Sequence, residues 1–162
     1  MNRRLCAFFI LDFAILVLAG AWAFQLIGGY QPCALCLQQR LPYYVGIPVA
    51  FLLVLGIGNF LSPKAQRQFF IALAFIFAVS LFFAVRHAGV EWKWWLGPAG
   101  CGAGDLTSTI APLVSAEADP NLIPVFCDEA ALRVLGLSFA GWNAVASLAL
   151  LIVAIKGALQ KA

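Results

Sequence analysis

The sequence predicts an all-α integral membrane protein, a four-helix bundle with two loops on the outer side of a bilayer, the second of them long. Composition is the first reason. Of the 162 residues, 64% are apolar and 10% charged, with a mean hydropathy of +0.96, whereas soluble domains are roughly half apolar and a quarter charged. The second reason is four apolar runs, at 5–24, 41–61, 69–85 and 135–155, each near the ~20 residues that about 30 Å of hydrocarbon requires. The third is the placement of charge. Arg3, Arg4, Lys64, Arg67, Lys156 and Lys161 fall at the N-terminus, the middle connection and the C-terminus, with no acid among them. Residues 86–134 instead carry Glu91, Asp105, Glu117, Asp119, Asp128 and Glu129 against Arg86, Lys93 and Arg133, a net −3. Cations near span ends are retained on the cytoplasmic side, so both termini are expected inside and loops 25–40 and 86–134 outside, in one membrane domain over 1–162. The net charge of +3 follows from this topology and is no reason to expect nucleic-acid binding.

Taken in order, the first run follows Arg3 and Arg4 and contains the small-x-small Ala21-Trp22-Ala23, as a cleaved leader would. Its apolar length exceeds the ~7–15 residues of a leader core, so it is expected to remain a span. Asp12 interrupts it, and a charge at the bilayer centre costs on the order of 2.5–3.5 kcal/mol. Protonation, or pairing with Asn143 or Ser147 of the fourth span, is therefore expected. Gly28, Gly29 and Pro32 then break the chain, and a helix is expected from about Leu35 into span two with Pro42 tolerated early. Arg86 and His87 close span three. Between Ala99 and Pro124, small residues, Gly and Pro dominate, which suits motion. Asp105, Leu106, Ile110, Leu113 and Val114 have the spacing of a short amphipathic helix on the membrane surface. Trp92, Trp94, Trp95 and Trp142, with Gln38, Gln39, Tyr43 and Tyr44, read most simply as interfacial belt residues.

Four of the five cysteines, Cys33, Cys36, Cys101 and Cys127, fall in the two outer loops, and Cys6 lies at the inner end of span one. Disulfides persist on the oxidising side of a membrane, so this distribution predicts a redox framework outside and a lone thiol inside. Of the three connectivities, Cys33 with Cys36 and Cys101 with Cys127 is favoured, because CxxC spacing closes a small loop readily. A zinc site is disfavoured: 25 residues separate Cys101 from Cys127, no second close pair is present, and no histidine follows His87 in the second loop. Two inert staples are the bland alternative. Small CxxC rings are more often labile than structural, which favours chemistry.

Cys36 is expected near a helix N-terminus, where backbone N–H groups favour a thiolate. Arg40, one turn on and the sole charge in the first outer loop, adds fixed positive charge on the same side. An ordinary snorkelling arginine is the alternative.

A CxxC followed by Arg40 before span two, four spans, and a second cysteine pair after span three resemble the DsbB family, the disulfide bond formation proteins B of bacterial inner membranes. Segments such as Gly89-Val90-Glu91-Trp92-Lys93-Trp94-Trp95, Gly100-Cys101, Cys127-Asp128-Glu129 and Gly141-Trp142-Asn143 resemble a shorter-loop branch of it. The resemblance covers essentially the whole chain. It implies a quinone reductase, using ubiquinone or menaquinone from the membrane pool, that reoxidises a periplasmic thioredoxin-fold oxidase of the DsbA kind. Cys101 and Cys127 would accept electrons from that partner, with Cys101 as the site of the mixed disulfide. Cys33 and Cys36 would reoxidise the loop pair, and Cys36, beside Arg40, would face the quinone, with His87 near the same slot. A carrier of reducing equivalents across the membrane would need cysteines reachable from both sides, and only Cys6 lies inside. A non-catalytic scaffold held by structural disulfides is the remaining alternative.

Overall fold

The computed structural model describes residues 2–98 and 123–160, and Cys101 and the expected surface helix at 105–114 lie outside them. Four long helices form the body. Helix α1 spans Arg3–Leu26, with the Asn2 side chain accepting from the Leu5 N–H at its start. Helix α2 spans Ala34–Gly56 and is capped by Cys33, whose sulfur accepts from the Cys36 N–H. Helix α3 spans Pro63–Glu91 behind a Ser62 cap, with Pro63 at the first helical position, where its missing N–H is no loss. Helix α4 spans Phe139–Leu159 behind a Ser138 cap. All four are long and apolar enough to cross a bilayer.

The helices close into a ring, α2 between α1 and α3, and α4 between α3 and α1, with the α3–α4 seam the most extensive. Its centre holds Ile10 and Ala14 of α1, Tyr43, Ala50 and Leu53 of α2, Phe70, Leu73 and Phe77 of α3, and Leu150 and Ala154 of α4. These recur every three or four residues, as one face of a helix requires. Small residues bring the backbones together: a Cβ on Gly157 would stand 2.4 Å from the Phe70 ring. Close approach of this kind drives helix association in lipid, where no hydrophobic gain is available between spans. Phe75 and Phe82 point outward, 71% and 63% exposed, as lipid-facing positions would.

Helix ends depart from the sequence-based spans for identifiable reasons. Leu135, Gly136 and Leu137 read as the start of a span by hydropathy. They instead form a tight antiparallel hairpin, with β3 at Arg133–Val134 and β4 at Leu137–Ser138. Leu135 and Gly136 at its tip have φ of 52° and 84°, the double left-handed turn of a two-residue hairpin. The fourth helix therefore begins at Phe139. Helix α3 continues past Arg86 and His87 to Glu91, because this last turn is buried against other protein groups. Pro42 sits well inside α2 rather than in its first turn, releasing the Gln38 carbonyl from the helical ladder.

Two further strands, β1 at Tyr30–Gln31 and β2 at Ile123–Pro124, pair in parallel with Tyr30 opposite Ile123 and Gln31 opposite Pro124. This short ladder ties the α1–α2 connection to the α3–α4 connection. Cys33 follows β1 by two residues and Cys127 follows β2 by three, so the pairing delivers both cysteines to one place. There Leu35, Val90 and Cys127 form a small buried cluster with Cys33 packed against it.

Asp12 does not pair with Asn143 or Ser147. It faces outward from α1, and those two side chains are engaged by Tyr43. Cys6 is buried at the other end of the bundle, where its sulfur accepts from the Gln160 side chain.

Candidate functional site

At the α2 N-terminus the Cys33 and Cys36 sulfurs stand 2.7 Å apart. The helix cap fixes this geometry. The Cys36 N–H donates to the Cys33 sulfur at 3.2 Å, so the donor expected to serve Cys36 serves its neighbour instead. Cys127, buried by the loop pairing, supplies a third sulfur. Hydrogen bonding with Cys127, then with Cys36, raises the Cys33 thiol above its ordinary range, and burial adds to this. Cys33 thus has both of the other thiols as neighbours.

His87 joins them from α3, its Nε2 3.8 Å from the Cys33 sulfur, and it is 3% exposed. A chain of side-chain hydrogen bonds holds the ring. The Tyr43 hydroxyl donates to Asn143 Oδ1 at 2.6 Å, the Asn143 amide donates to Gln39 Oε1 at 2.6 Å, and the Gln39 amide reaches His87 Nδ1 at 2.5 Å. Ser147 and Ser80 extend the chain into the bundle core. With Gln39 donating to Nδ1, the ring proton sits on Nε2, facing the Cys33 sulfur and Glu91 Oε1, the latter at 3.9 Å. Fully bonded buried networks of this kind fix side chains in one arrangement.

Glu91 is itself buried, and the Ser138 hydroxyl donates to its Oε2. The same Ser138 oxygen accepts from the Gly141 N–H at 3.1 Å. One hydroxyl therefore caps α4 and satisfies a carboxylate on α3. Ser138→Ala is expected to lower stability by about 1–2 kcal/mol, from loss of a cap and an unsatisfied buried acceptor. Thermal unfolding in detergent reads this directly, and an unchanged midpoint would refute the double role.

Arg40 is 8% exposed, not a snorkelling side chain. Its guanidinium donates to Gln25 Oε1 at 2.6 Å and to the Ala21 carbonyl at 3.1 Å, and lies 5.3 Å from the Trp22 ring centroid. The fork is thus fixed against α1, and Cys36 lines the same cavity. That cavity, about 390 Å³, is walled by Phe13, Leu16, Val17, Phe24 and Phe139 among others, and its polar lining includes Cys36, Gln39, Arg40, Tyr43, His87, Glu91 and Asn143. An apolar slot with a few convergent polar groups is the usual form of a small-molecule site.

The structure brings Cys33, Cys36, Cys127 and His87 together and sets Arg40 on the same cavity; Cys101 lies outside the described residues. Gln39 and Tyr43 are buried in the network rather than lying in an interfacial belt, while Tyr44 is 43% exposed and accepts from Trp22 Nε1. Their spacing from Cys36, three and seven residues, marked one helix face and was the available signal. Nothing local marked Glu91, Ser138 or Asn143, whose partners are distant in sequence.

A model of the family described as Disulfide bond formation protein DsbB matches residues 3–156. The Disulfide bond formation protein B of Burkholderia ambifaria is 27% identical over 150 residues, covering 91% of this chain and 83% of that protein. No solved structure matches significantly. Helix number, the paired cysteines and this near-complete match agree: the chain belongs to the DsbB family, multi-pass membrane oxidoreductases of disulfide bond formation.

Proposed function

We propose that this protein is a quinone-dependent thiol oxidase that reoxidises a periplasmic, DsbA-like thioredoxin-fold protein. The observation that carries the reading is the Cys33 position, hydrogen-bonded to Cys127 on one side and 2.7 Å from Cys36 on the other, beside an apolar cavity. In this reading both termini are cytoplasmic and the cysteine loops face the periplasm of a bacterial inner membrane, as the positive-inside pattern favours.

Exchange proceeds by thiolate attack on a disulfide sulfur. Cys101 takes the partner's attack and carries the mixed disulfide. The partner's second thiolate then resolves that bond, releasing oxidised partner and leaving Cys101 and Cys127 as thiols. Cys127 attacks Cys33 in the Cys33–Cys36 disulfide, forming the Cys33–Cys127 bond and releasing Cys36 as a thiolate. Cys101 next displaces Cys33 from Cys127, restoring the loop disulfide and leaving the CxxC reduced. A quinone, ubiquinone or menaquinone, bound in the cavity supplies the two-electron, two-proton acceptor that returns the CxxC to its disulfide. Arg40 places positive charge where carbonyl charge develops. His87, held by Gln39, offers an N–H beside the sulfurs, and the aromatic walls exclude water.

Reduced DsbA-type partner and ubiquinone or menaquinone, given to the purified protein, should bleach the quinone absorbance in step with partner oxidation. Absence of bleaching with a competent partner would remove this reading. Normal oxidation of secreted proteins after replacing all four relay cysteines would favour the scaffold alternative.

A further inference from the structure

The sulfurs of Cys33 and Cys36 and a ring nitrogen of His87 all lie within 4.8 Å of one another. Distance in sequence concealed the set, since the histidine comes from α3 and not from the second loop. From this cluster we infer a redox-gated site for a soft divalent cation such as Zn²⁺ or Cd²⁺, formed only when the CxxC pair is reduced.

Thiolate and imidazole are the donors such ions prefer. Tetrahedral zinc with Zn–S near 2.3 Å and Zn–N near 2.0–2.1 Å places its ligand atoms about 3.5–3.8 Å apart. Cys33 Sγ and His87 Nε2 already stand at 3.8 Å. The two sulfurs must part by about 1 Å from their 2.7 Å separation, a change of one side-chain torsion. Two thiolates neutralise the divalent charge, which suits a largely buried site. Solvent or a cavity ligand would complete the coordination, as open zinc sites allow.

Metal binding needs the other tautomer, which the surrounding network supplies when it is reversed. Turning the Gln39 and Asn143 amides over reverses the chain. Nδ1–H then donates to Gln39, Asn143 donates to the Tyr43 oxygen, and Tyr43 donates to Ser147, 3.3 Å away. Nε2 is left with its lone pair toward the sulfurs, the second-shell arrangement usual for metal-bound histidine.

Binding releases two thiol protons and transfers no electrons. The disulfide form offers no thiolate and holds no ion. An ion on the reduced pair occupies the sulfurs that must re-form their bond, so the cation would arrest the oxidase in its reduced state. That consequence rests on the proposed function; binding itself does not.

Cadmium titration of the full-length protein in detergent provides the test, read by sulfur-to-cadmium charge-transfer absorbance rather than turnover. The expected result is one ion per reduced chain at this site and none on the oxidised protein. The band should be lost in the Cys33→Ala, Cys36→Ala double variant, and affinity should fall by at least about 10-fold in His87→Ala. Equal binding to oxidised and reduced wild type would overturn the inference without involving any variant. So would an unchanged band in the double variant, or unchanged affinity in His87→Ala.

Discussion

Cys33→Ala is expected to lower steady-state turnover by more than ~10³-fold, the scale on which loss of a covalent nucleophile acts. Its sulfur contacts both Cys36 and Cys127, so its removal cuts the relay on both sides at once. No other thiol is placed to replace it among the described residues. The proposed Cys101–Cys127 disulfide does not need Cys33, so one equivalent of partner should still be oxidised. Stopped-flow mixing with reduced partner should thus show a single-turnover burst followed by no quinone reduction. Continued turnover in this variant would show that electrons bypass the CxxC.

The second large effect is expected at Arg40. Arg40→Met keeps much of the apolar stem and removes the charge, with its bonds to Gln25 and Ala21. Hydrogen bonds to charged groups contribute about 1.5–3 kcal/mol. If that interaction is made with the quinone and with the wall that shapes its cavity, KM for quinone should rise roughly 10- to 150-fold. Raising the quinone concentration should recover most of kcat. Arg40→Lys should recover only part of the effect, since an ammonium cannot make the same fork. A fall in kcat at unchanged KM would place Arg40 outside quinone binding.

The spans were legible because lipid imposes a long uninterrupted apolar run on each helix. Their ends were not, because hydropathy does not register backbone conformation. Leu135 is as apolar as any span residue and yet forms a hairpin tip. The reverse holds at Arg86 and His87, which read as the close of a span, yet α3 continues past them to Glu91 because protein, not water, surrounds this turn. At the site, the cysteine chemistry was written locally in the CxxC and Arg40. The scaffold around it was not: the Asn143–Gln39–His87 chain and the Ser138–Glu91 bond join residues 47 to 104 positions apart. Asp12 shows the opposite failure, a polar residue whose expected partners are taken by Tyr43.

In the proposed relay the disulfide passes between the loops through Cys33 and Cys127. Cys36→Ala removes the competing thiol and should leave those two sulfurs to join under mild oxidation. Peptide mapping by mass spectrometry under non-reducing conditions is the direct measurement. A Cys33–Cys127 cross-link is the predicted result. A Cys33–Cys101 cross-link instead, or no inter-loop bond under conditions that oxidise the wild-type pairs, would contradict the account.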